Sequence, residues 1–219
     1  MRRAITLIIF ITCMIAGLFA SAQEPSPIAD TGGNTSVHVL GGHILLGGAG
    51  IIEDSDSEEM RARFAGGFGF NYKFYLKSNM ALAAGLDFVG KGGRNKEGDV
   101  TQKTYLRCME FPLGVVFEPI PNLQIGGALV ISIALTGKEK EKEGDDSQVH
   151  DFNDDDWDNI RRFNLGPRLS AGYAIPVGPV KIVPGLMWEL DLINAYKGDG
   201  DAAMRAVNLM LTAGVQYGL

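Results

Sequence analysis

The sequence has few cysteines, no excess of positive charge and, beyond its N-terminal segment, no long apolar run. Only Cys13 and Cys108 are present, and Cys13 lies within the apolar N-terminal segment. A mature chain with Cys108 alone forms no internal disulfide, so its stability must have another source. The formal net charge of -6 argues against nucleic acid as a partner. Since no apolar run remains for a spanning helix, a membrane form of this chain would have to be a closed β-barrel.

The N-terminal segment has the three parts of a secretory signal peptide. Two arginines precede an apolar run at 4–19, and residues 20–22 are the small residues that a signal peptidase reads. We therefore predict export, with cleavage before Gln23. The apolar run is shorter than the roughly 20 residues of a spanning helix, so an uncleaved anchor is the less favoured alternative. The predicted organisation is a signal peptide at 1–22, a flexible lead-in at 23–35 and one barrel domain at 36–219.

Alternation with a period of two dominates the rest of the chain. In the segment 61–76 one face is almost entirely aromatic or aliphatic, and the other carries small, amide or basic side chains. Successive side chains of a strand point to opposite faces, so this segment predicts a strand with one apolar face. The segments 161–175 and 207–219 repeat the split. We predict eight strands, at about 36–52, 60–76, 80–94, 101–118, 123–137, 160–175, 179–196 and 205–219.

The predicted connections alternate between short and long. Tight turns follow the second, fourth and sixth strands, and longer polar connections follow the others. Outer-membrane barrels show this asymmetry, with tight periplasmic turns and longer external loops. The longest connection, 138–158, is strongly acidic, with ten Asp or Glu against three Lys. The sequence therefore predicts an all-β fold, an eight-stranded antiparallel up-and-down transmembrane β-barrel.

A soluble barrel of the lipocalin type would show the same alternation with its faces reversed. Side-chain size separates the two, because the interior of an eight-stranded barrel is just wide enough to be filled by side chains. The charged faces are mostly small and suit a narrow lumen, whereas the apolar faces are bulky. We therefore predict that Phe64 and Phe68 face lipid and that Arg63 and Lys73 face the lumen. Arg107 shares the apolar face of its strand, and we expect it near the outer rim.

Several short motifs resemble a known family. They are Tyr105-Leu106, Met109-Glu110-Phe111-Pro112-Leu113, Gly85-Leu86-Asp87-Phe88, Lys91-Gly92 and Asn208-Leu209-Met210-Leu211. On these motifs the chain resembles the PorT-like outer-membrane β-barrel proteins of Bacteroidetes, over about residues 37–219. The resemblance implies a location in a Gram-negative outer membrane and no particular activity. The expected partners are outer-membrane lipid and the export and barrel-assembly machinery, with any envelope protein partner unknown.

Ionisable residues on the predicted lumen faces are the main candidates for function. They are Arg61, Arg63, Lys73, Asp87, Glu110, Arg162, Arg168, Lys181, Glu189 and Asp191. They could line a narrow conduit or a small-solute site, or they could form an ion-pair network that fills the barrel. An unpaired buried charge costs several kcal/mol. Because both signs occur in similar number, the network is the favoured interpretation.

No convincing catalytic constellation stands out. A Ser-His site needs a base within hydrogen-bond reach of a nucleophile. His43 could face the lumen with Ser132 or Ser170 nearby, but nothing in the spacing brings them together. At the outer rim, His150 and the loop aspartates are the only residues in the sequence that could contribute to a catalytic site. We therefore predict that the protein is not an enzyme and has no cofactor.

The aspartates of the long loop are a weak candidate metal site. Asp154, Asp155, Asp156 and Asp158 supply hard oxygen ligands that suit Ca²⁺. The segment lacks the ligand spacing of an EF-hand with its distal Glu. A solvated, mobile loop is therefore the favoured interpretation, and weak divalent-cation binding is the alternative.

Three functional hypotheses remain open. The leading one is a small non-enzymatic outer-membrane barrel with a side-chain-filled lumen, in a structural or interaction role in the envelope. The second is a component of a secretion or transport assembly, which only the family resemblance suggests. The third is a soluble ligand-binding barrel in the periplasm.

Overall fold

The computed structural model describes residues 38–53, 63–97, 100–143, 146–193 and 204–219. The predicted signal peptide, the lead-in and Arg61 lie outside these residues. None of the helices in the described residues is long and apolar enough to cross a membrane. The elements in chain order are β1 (His38–Glu53), β2 (Arg63–Lys77), β3 (Met80–Lys91), β4 (Arg94–Glu97), β5 (Val100–Phe117), β6 (Leu123–Glu143), β7 (Asp146–Asp151), α1 (Asp154–Asn159), β8 (Phe163–Tyr173), β9 (Ile175–Val177), β10 (Val180–Leu190) and β11 (Met204–Gly218).

Eight strands close into a ring in which every neighbouring pair is antiparallel. The order around the ring is β1–β2–β3–β5–β6–β8–β10–β11, and β11 pairs with β1 from Val39↔Gly218 to Glu53↔Met204. Closure pairs the backbone of both outermost strands, so the wall of the ring has no free edge. The predicted eight-stranded antiparallel up-and-down β-barrel is confirmed.

The two rims of the barrel differ. Tight turns join β2 to β3, β5 to β6 and β9 to β10 at one rim, which we call the short-turn rim. Asn122 has a φ of 69° and Gly178 a φ of 60° in two of these turns, a conformation that Asn and Gly adopt readily. The opposite rim, the long-loop rim, carries β4, β7 and α1. The predicted asymmetry of the connections is therefore present.

The structure differs from the prediction mainly at the long-loop rim. The predicted strand 80–94 ends at Lys91, and β4 follows it as a separate strand. The predicted strand 123–137 continues to Glu143, because its alternating Lys-Glu run keeps pairing with β5. The connection predicted as a loop over 138–158 is therefore mostly regular structure in its described residues, which form the end of β6, β7 and α1.

Most large apolar side chains of the ring strands point out of the barrel, and most buried ionisable ones point in. Phe64 is 75% exposed and Leu209 is 52% exposed, whereas Lys73 is 5% exposed and Glu110 is fully buried. Exposed large apolar residues occur on all eight ring strands, among them Leu40, Phe64, Leu82, Leu113, Ile125, Leu169, Ile182 and Leu209. The orientation predicted from side-chain size is confirmed.

A β-bulge changes the phase of this alternation near the long-loop rim. Arg107 pairs with Thr136, whereas Cys108 pairs with Ala134, so Leu135 is an extra residue in β6. Even-numbered positions of β6 point into the barrel before the bulge and away from it afterwards. Arg107 lies opposite this bulge and is exposed on the outer wall, as the alternation of its own strand β5 predicts.

An apolar cluster fills the lumen in the middle of the barrel and toward the long-loop rim. Its buried members are Leu45, Ala49, Ala65, Val89, Cys108, Ala134, Trp157, Ile160, Met187 and Met210. Trp157 and Ile160 belong to the connection between β7 and β8, which therefore packs onto the barrel. The rings of Trp157 and Phe152 meet edge to face, with centroids 5.3 Å apart. Phe152 in turn fills the space beside Gly137, where a Cβ atom would lie 2.1 Å from its ring.

Candidate functional site

Six buried charged side chains converge inside the barrel, and we call them the charged core. They are Asp87 and Lys91 on β3, Glu110 on β5, Arg168 on β8, Glu189 on β10 and Asp191 just after β10. The first five occupy inward positions of their strands, so alternation alone points them at the axis. Asp87 pairs across strands with Glu110, and Glu189 with Arg168, which brings four of them to one level of the barrel.

Arg168 is one of the two cationic centres of the charged core. Its Nη1 is ion-paired with Asp87 Oδ2, and its Nη2 lies 2.5 Å from Glu110 Oε2 and 2.7 Å from Glu189 Oε2. Its Nε also donates to Glu189 Oε2 at 2.8 Å. A guanidinium presents several donors in a rigid plane, so one side chain links carboxylates from three different strands.

Lys91 is the second cationic centre. Its Nζ lies 2.8 Å from Glu110 Oε1, 2.7 Å from Glu189 Oε1 and 2.7 Å from Asp191 Oδ1. An ammonium has three donors, and each of them here has a carboxylate. Glu110 and Glu189 therefore bridge Lys91 and Arg168, which joins all six side chains into one network.

The charged core has four carboxylates for two cations. His43 lies at its edge, with Nε2 3.1 Å from Asp87 Oδ1 and Nδ1 3.2 Å from Asn71 Nδ2. Ser132 donates to Glu110 Oε1 at 3.4 Å. Because carboxylates outnumber cations and the cations are fully occupied, the charged core is a poor site for an anion.

A second polar layer, the polar floor, lies nearer the short-turn rim. It comprises Lys73, Tyr75, Glu118, Gln124 and Gln216. Lys73 Nζ donates to Gln124 Oε1 at 2.7 Å, and Tyr75 donates to Glu118 Oε1 at 2.5 Å. Gln124 also donates to Glu118 at 3.0 Å and exchanges hydrogen bonds with Gln216. Lys73 is buried like the charged core, but among the described residues its side chain hydrogen-bonds to a neutral amide.

A cavity of about 170 Å³ separates the polar floor from the charged core. His43, Asn71, Lys73, Arg168 and Ser170 contribute polar groups to its lining, and glycine and alanine provide much of the rest. A water molecule occupies about 30 Å³ in the liquid, so the cavity has room for a few waters. The charged core closes it on the side of the long-loop rim.

The structure brings five of the predicted lumen residues into the charged core, namely Asp87, Glu110, Arg168, Glu189 and Asp191. Lys73 lies in the polar floor instead. Arg63 is at the long-loop rim, where its Nη2 donates to the carbonyl of Lys91 at 2.5 Å and its guanidinium lies 4.2 Å above the Tyr105 ring.

Two of the predicted lumen residues lie elsewhere. Arg162 is exposed and stacks 4.4 Å above the Trp157 ring, because it precedes β8 and the alternation of that strand does not extend to it. Lys181 keeps the inward parity of β10, but it lies at the short-turn rim and is exposed. The lumen assignment of both residues needs this correction.

Lys91 is the important residue that the sequence analysis missed. It shares the parity of Asp87 and Val89, so extending the alternation of β3 to its last residue would have found it. His43 does face the lumen. Among the described residues, however, neither Ser132 nor Ser170 hydrogen-bonds to His43, so the candidate Ser-His pair does not form.

Among the loop aspartates, Asp156 forms hydrogen bonds that shape the start of α1. Asn153 caps α1 by accepting from the Asp156 amide at 3.0 Å, and Asp156 accepts from the Asn153 amide at 2.8 Å and lies 2.8 Å from His150 Nε2. The Asn153 amide and then His150 lower the pKa of Asp156. In the described part of the chain no group of three or more His, Cys, Asp or Glu side chains could hold a metal ion. The side chain of Asp155 lies outside the described part. The calcium hypothesis can therefore be compared with the structure only at Asp154, Asp156 and Asp158.

Solved structures with a similar architecture are outer-membrane proteins. Ail, the attachment invasion locus protein of Yersinia pestis, crystallised with the heparin analogue sucrose octasulfate, is 14% identical; the match covers 82% of this chain and 99% of Ail, with a TM-score of 0.44. Neisserial surface protein A is 13% identical over 84% of this chain and 98% of its own, with a TM-score of 0.43. The outer membrane protease OmpT of Escherichia coli is 11% identical over 84% and 98%, also with a TM-score of 0.43.

These similarities concern architecture alone, since identity and TM-score are both too low to transfer a ligand or an activity. One of the three proteins, OmpT, is a protease. No protein-family profile matches the chain, and no curated protein matches it either. The resemblance to the PorT-like family therefore stays a prediction.

Proposed function

We propose that this protein is a small non-enzymatic outer-membrane β-barrel whose lumen is closed by paired charges and which supports an ordered sheet outside the membrane. The observation that carries the proposal is the inverted distribution of side chains, with bulky apolar residues on the outer face of every ring strand and ion pairs inside. Soluble monomers rarely expose contiguous apolar surface of this extent. A soluble ligand-binding barrel would need the opposite orientation.

Strand length supports the membrane location. The ring strands have 11 to 21 residues, and a tilted strand needs about 9–11 residues to cross a bilayer. The longest strands, β5 and β6, extend past the ring at the long-loop rim. The predicted signal peptide and the PorT-like motifs agree with export to a Gram-negative outer membrane, and both belong to the proposal.

The interior supports a barrel that does not conduct solutes. The charged core links β3, β5, β8 and β10 across the lumen, and the apolar cluster with Trp157 lies beyond it toward the long-loop rim. A permeating ion would have to displace a paired carboxylate or cation, and breaking a buried pair costs about 3–5 kcal/mol. We expect no stepwise conductance from the folded protein in a planar bilayer.

The part outside the membrane is a four-stranded sheet of β4, β5, β6 and β7. β4 and β7 are its edges, and neither has a second strand partner in the described residues. Val149 on β7 is 61% exposed. Unpaired edges can accept a strand from another protein, so this sheet is the natural place for an envelope partner. A role in a secretion or transport assembly has only the family resemblance behind it.

Electrophoresis of the detergent-folded protein, with and without boiling, tests the barrel in solution. A closed barrel should migrate differently when unboiled, and vesicles mixed with the folded protein should carry it upward in a density gradient. Identical migration, or failure to float with vesicles, would remove the membrane proposal.

A further inference from the structure

The outer wall has a groove near the long-loop rim, which we call the lateral groove. Closure of the barrel does not require it. It has a volume of about 680 Å³ and crosses β2, β3, β5 and β6. Apolar side chains and cations both line it. They are Phe64, Phe68, Phe88, Tyr105 and Leu135 on the apolar side and Arg63, Arg107 and Lys138 on the cationic side.

The lateral groove exists because strand pairing stops early and two outward positions have no side chain. The pairing of β2 with β3 begins only at Gly67↔Val89, so residues 63–66 have no partner on that side. Gly66 and Gly90 occupy outward positions beside this gap. A Cβ added to Gly90 would meet its nearest atoms at 3.5–3.9 Å, which is ordinary contact, so this position accepts a side chain without a clash.

The floor of the lateral groove is aromatic. Phe68 and Phe88 stack with ring centroids 5.3 Å apart, and Phe64 beside them is 75% exposed. Pockets for organic ligands commonly have volumes of about 300–1,000 Å³, and this groove falls within that range. An open, apolar trough in a lipid-facing wall suits an acyl chain that lies along it.

Two of the three cations of the lateral groove have no carboxylate partner in the described residues. Arg63 donates to the carbonyls of Phe64, at 3.3 Å, and Lys91, at 2.5 Å, and its buried Nε has no partner. Arg107 is exposed without an ion pair in this same part of the chain. Lys138 lies 2.9 Å from Asp151, and both side chains are largely exposed.

The bulge at Leu135 adds further positive charge above the lateral groove. Beyond it, Lys138 and Lys140 point outward, and Lys140 pairs across strands with Lys103. Lys138 is three residues past Leu135, or about 10 Å along the strand at roughly 3.3 Å per residue. Because barrel strands tilt by about 35–45°, this is about 7–8 Å along the membrane normal. The headgroup layer adds about 5–7 Å beyond each side of the hydrocarbon core, so Lys138 lies near its outer limit when Leu135 lies at the edge of the apolar band.

We propose that the lateral groove binds a phosphorylated lipid of the outer leaflet. An acyl chain lies along Phe64, Phe68 and Phe88, and the phosphate lies between Arg63, Arg107 and Lys138. Guanidinium groups bind phosphate through paired charge-assisted hydrogen bonds, and no carboxylate in the described residues competes for Arg63 or Arg107. This inference rests on the proposed membrane location.

Lipid titrations of the folded protein in detergent micelles test the proposal. The probes are lipid A with two phosphates and the same lipid with both phosphates removed, and native mass spectrometry measures the bound fraction. We expect the phosphorylated lipid to bind at least about tenfold more tightly, since a hydrogen bond to a charged group contributes about 1.5–3 kcal/mol. Arg107→Gln should remove most of this preference.

Gly90→Leu tests the groove itself, because it places an apolar side chain in the trough beside Arg63 and removes no cation. It should weaken binding of both lipids by about tenfold, which is what loss of one buried leucine-sized contact implies. Gly127→Leu is the matched control, since Gly127 is an outward position with no atom near its missing Cβ. Lys181→Gln is the charge control, because it removes an exposed cation at the opposite rim. Each variant is first checked for folding by its unboiled migration.

The outcomes separate this inference from the proposed function. Equal affinity for the two lipids would overturn the phosphate site. A loss with Arg107→Gln but none with Gly90→Leu would leave only an electrostatic surface that a soluble polyanion could also use, and it would overturn the groove. A folded protein that floats with vesicles but shows neither effect removes this inference and leaves the membrane barrel standing. A protein that does not float removes both.

Discussion

A lysine is ion-paired with acidic side chains both in the charged core and in the sheet outside the barrel, but the first is buried and the second is exposed to solvent. In the charged core, Lys91 is 2% exposed and has three carboxylates within 2.8 Å. In the outer sheet, Lys138 pairs with Asp151 at 2.9 Å, and their side chains are 52% and 71% exposed. The distances are similar, so burial and the number of carboxylates around each lysine separate the two cases. Removing one partner of a buried pair strands a charge, whereas water replaces the partner of an exposed one.

The largest expected effect follows from breaking the charged core. Arg168→Met should lower the free energy of unfolding by about 3–5 kcal/mol, because Asp87, Glu110 and Glu189 lose a shared cation inside the barrel. Urea titration of the protein in lipid vesicles measures the change. A loss below about 1 kcal/mol would mean that the carboxylates find other partners or water, and the contrast with the outer sheet would fail.

Lys73→Met tests whether a buried cation without a carboxylate partner contributes as much to the free energy of unfolding as the buried ion pairs do. Lys73 donates to the neutral Gln124, which also accepts from Gln216 at 3.2 Å and so keeps a partner. We expect a loss of only about 1 kcal/mol in the same urea titration, the usual net contribution of one hydrogen bond. A loss as large as that of Arg168→Met would show that burial, rather than carboxylate pairing, sets the scale.

Lys138→Gln should have a still smaller effect on stability. The exposed Lys138–Asp151 pair contributes roughly 0.2–1 kcal/mol at most, and added salt should erase even that. The same urea titration at low and at high salt provides the measurement. A salt-insensitive loss of several kcal/mol would contradict the assignment of this pair to the solvent.

The smallest effect concerns pH and the helix that covers the barrel. The pKa of Asp156 is lowered below its ordinary value of 3.8, so its ionised form favours the folded form of α1. That contribution is present above pH 3.8 and is lost as the pH falls through the lowered value. Trp157 fluorescence in a Trp188→Phe background should therefore change in that acid range. Asp156→Asn should remove this component, and an unchanged acid transition in that variant would assign it to another group.

The barrel was predictable because its physics is local to each strand. A period of two shows which side chains share a face, and the small size of one face shows that it is the inner one. The same argument placed Asp87, Glu110 and Glu189 inside before any pairing was known. Lys91 was missed although its strand carried the same signal.

The long-loop rim was harder to predict because its structure depends on contacts between segments. A run of aspartates indicates a solvated loop, yet Phe152 and Trp157 anchor it in the lumen. The position of Arg162 depends on where β8 begins, and alternation does not define a strand's first residue. The lateral groove depends on where β2 stops pairing with β3 and on the bulge in β6. Both are properties of register, which one strand's sequence does not contain.

The bulge at Leu135 has a consequence for how such a surface can change. The segment after it alternates lysine and glutamate, so its composition is nearly neutral, but its lysines point away from the barrel axis and Glu139 and Glu141 point toward it. Deleting a single residue at Leu135 would exchange the two sets and turn a cationic exterior into an anionic one. Insertion or deletion of one residue can therefore invert the sign of the charge on this outer surface without substituting any charged residue.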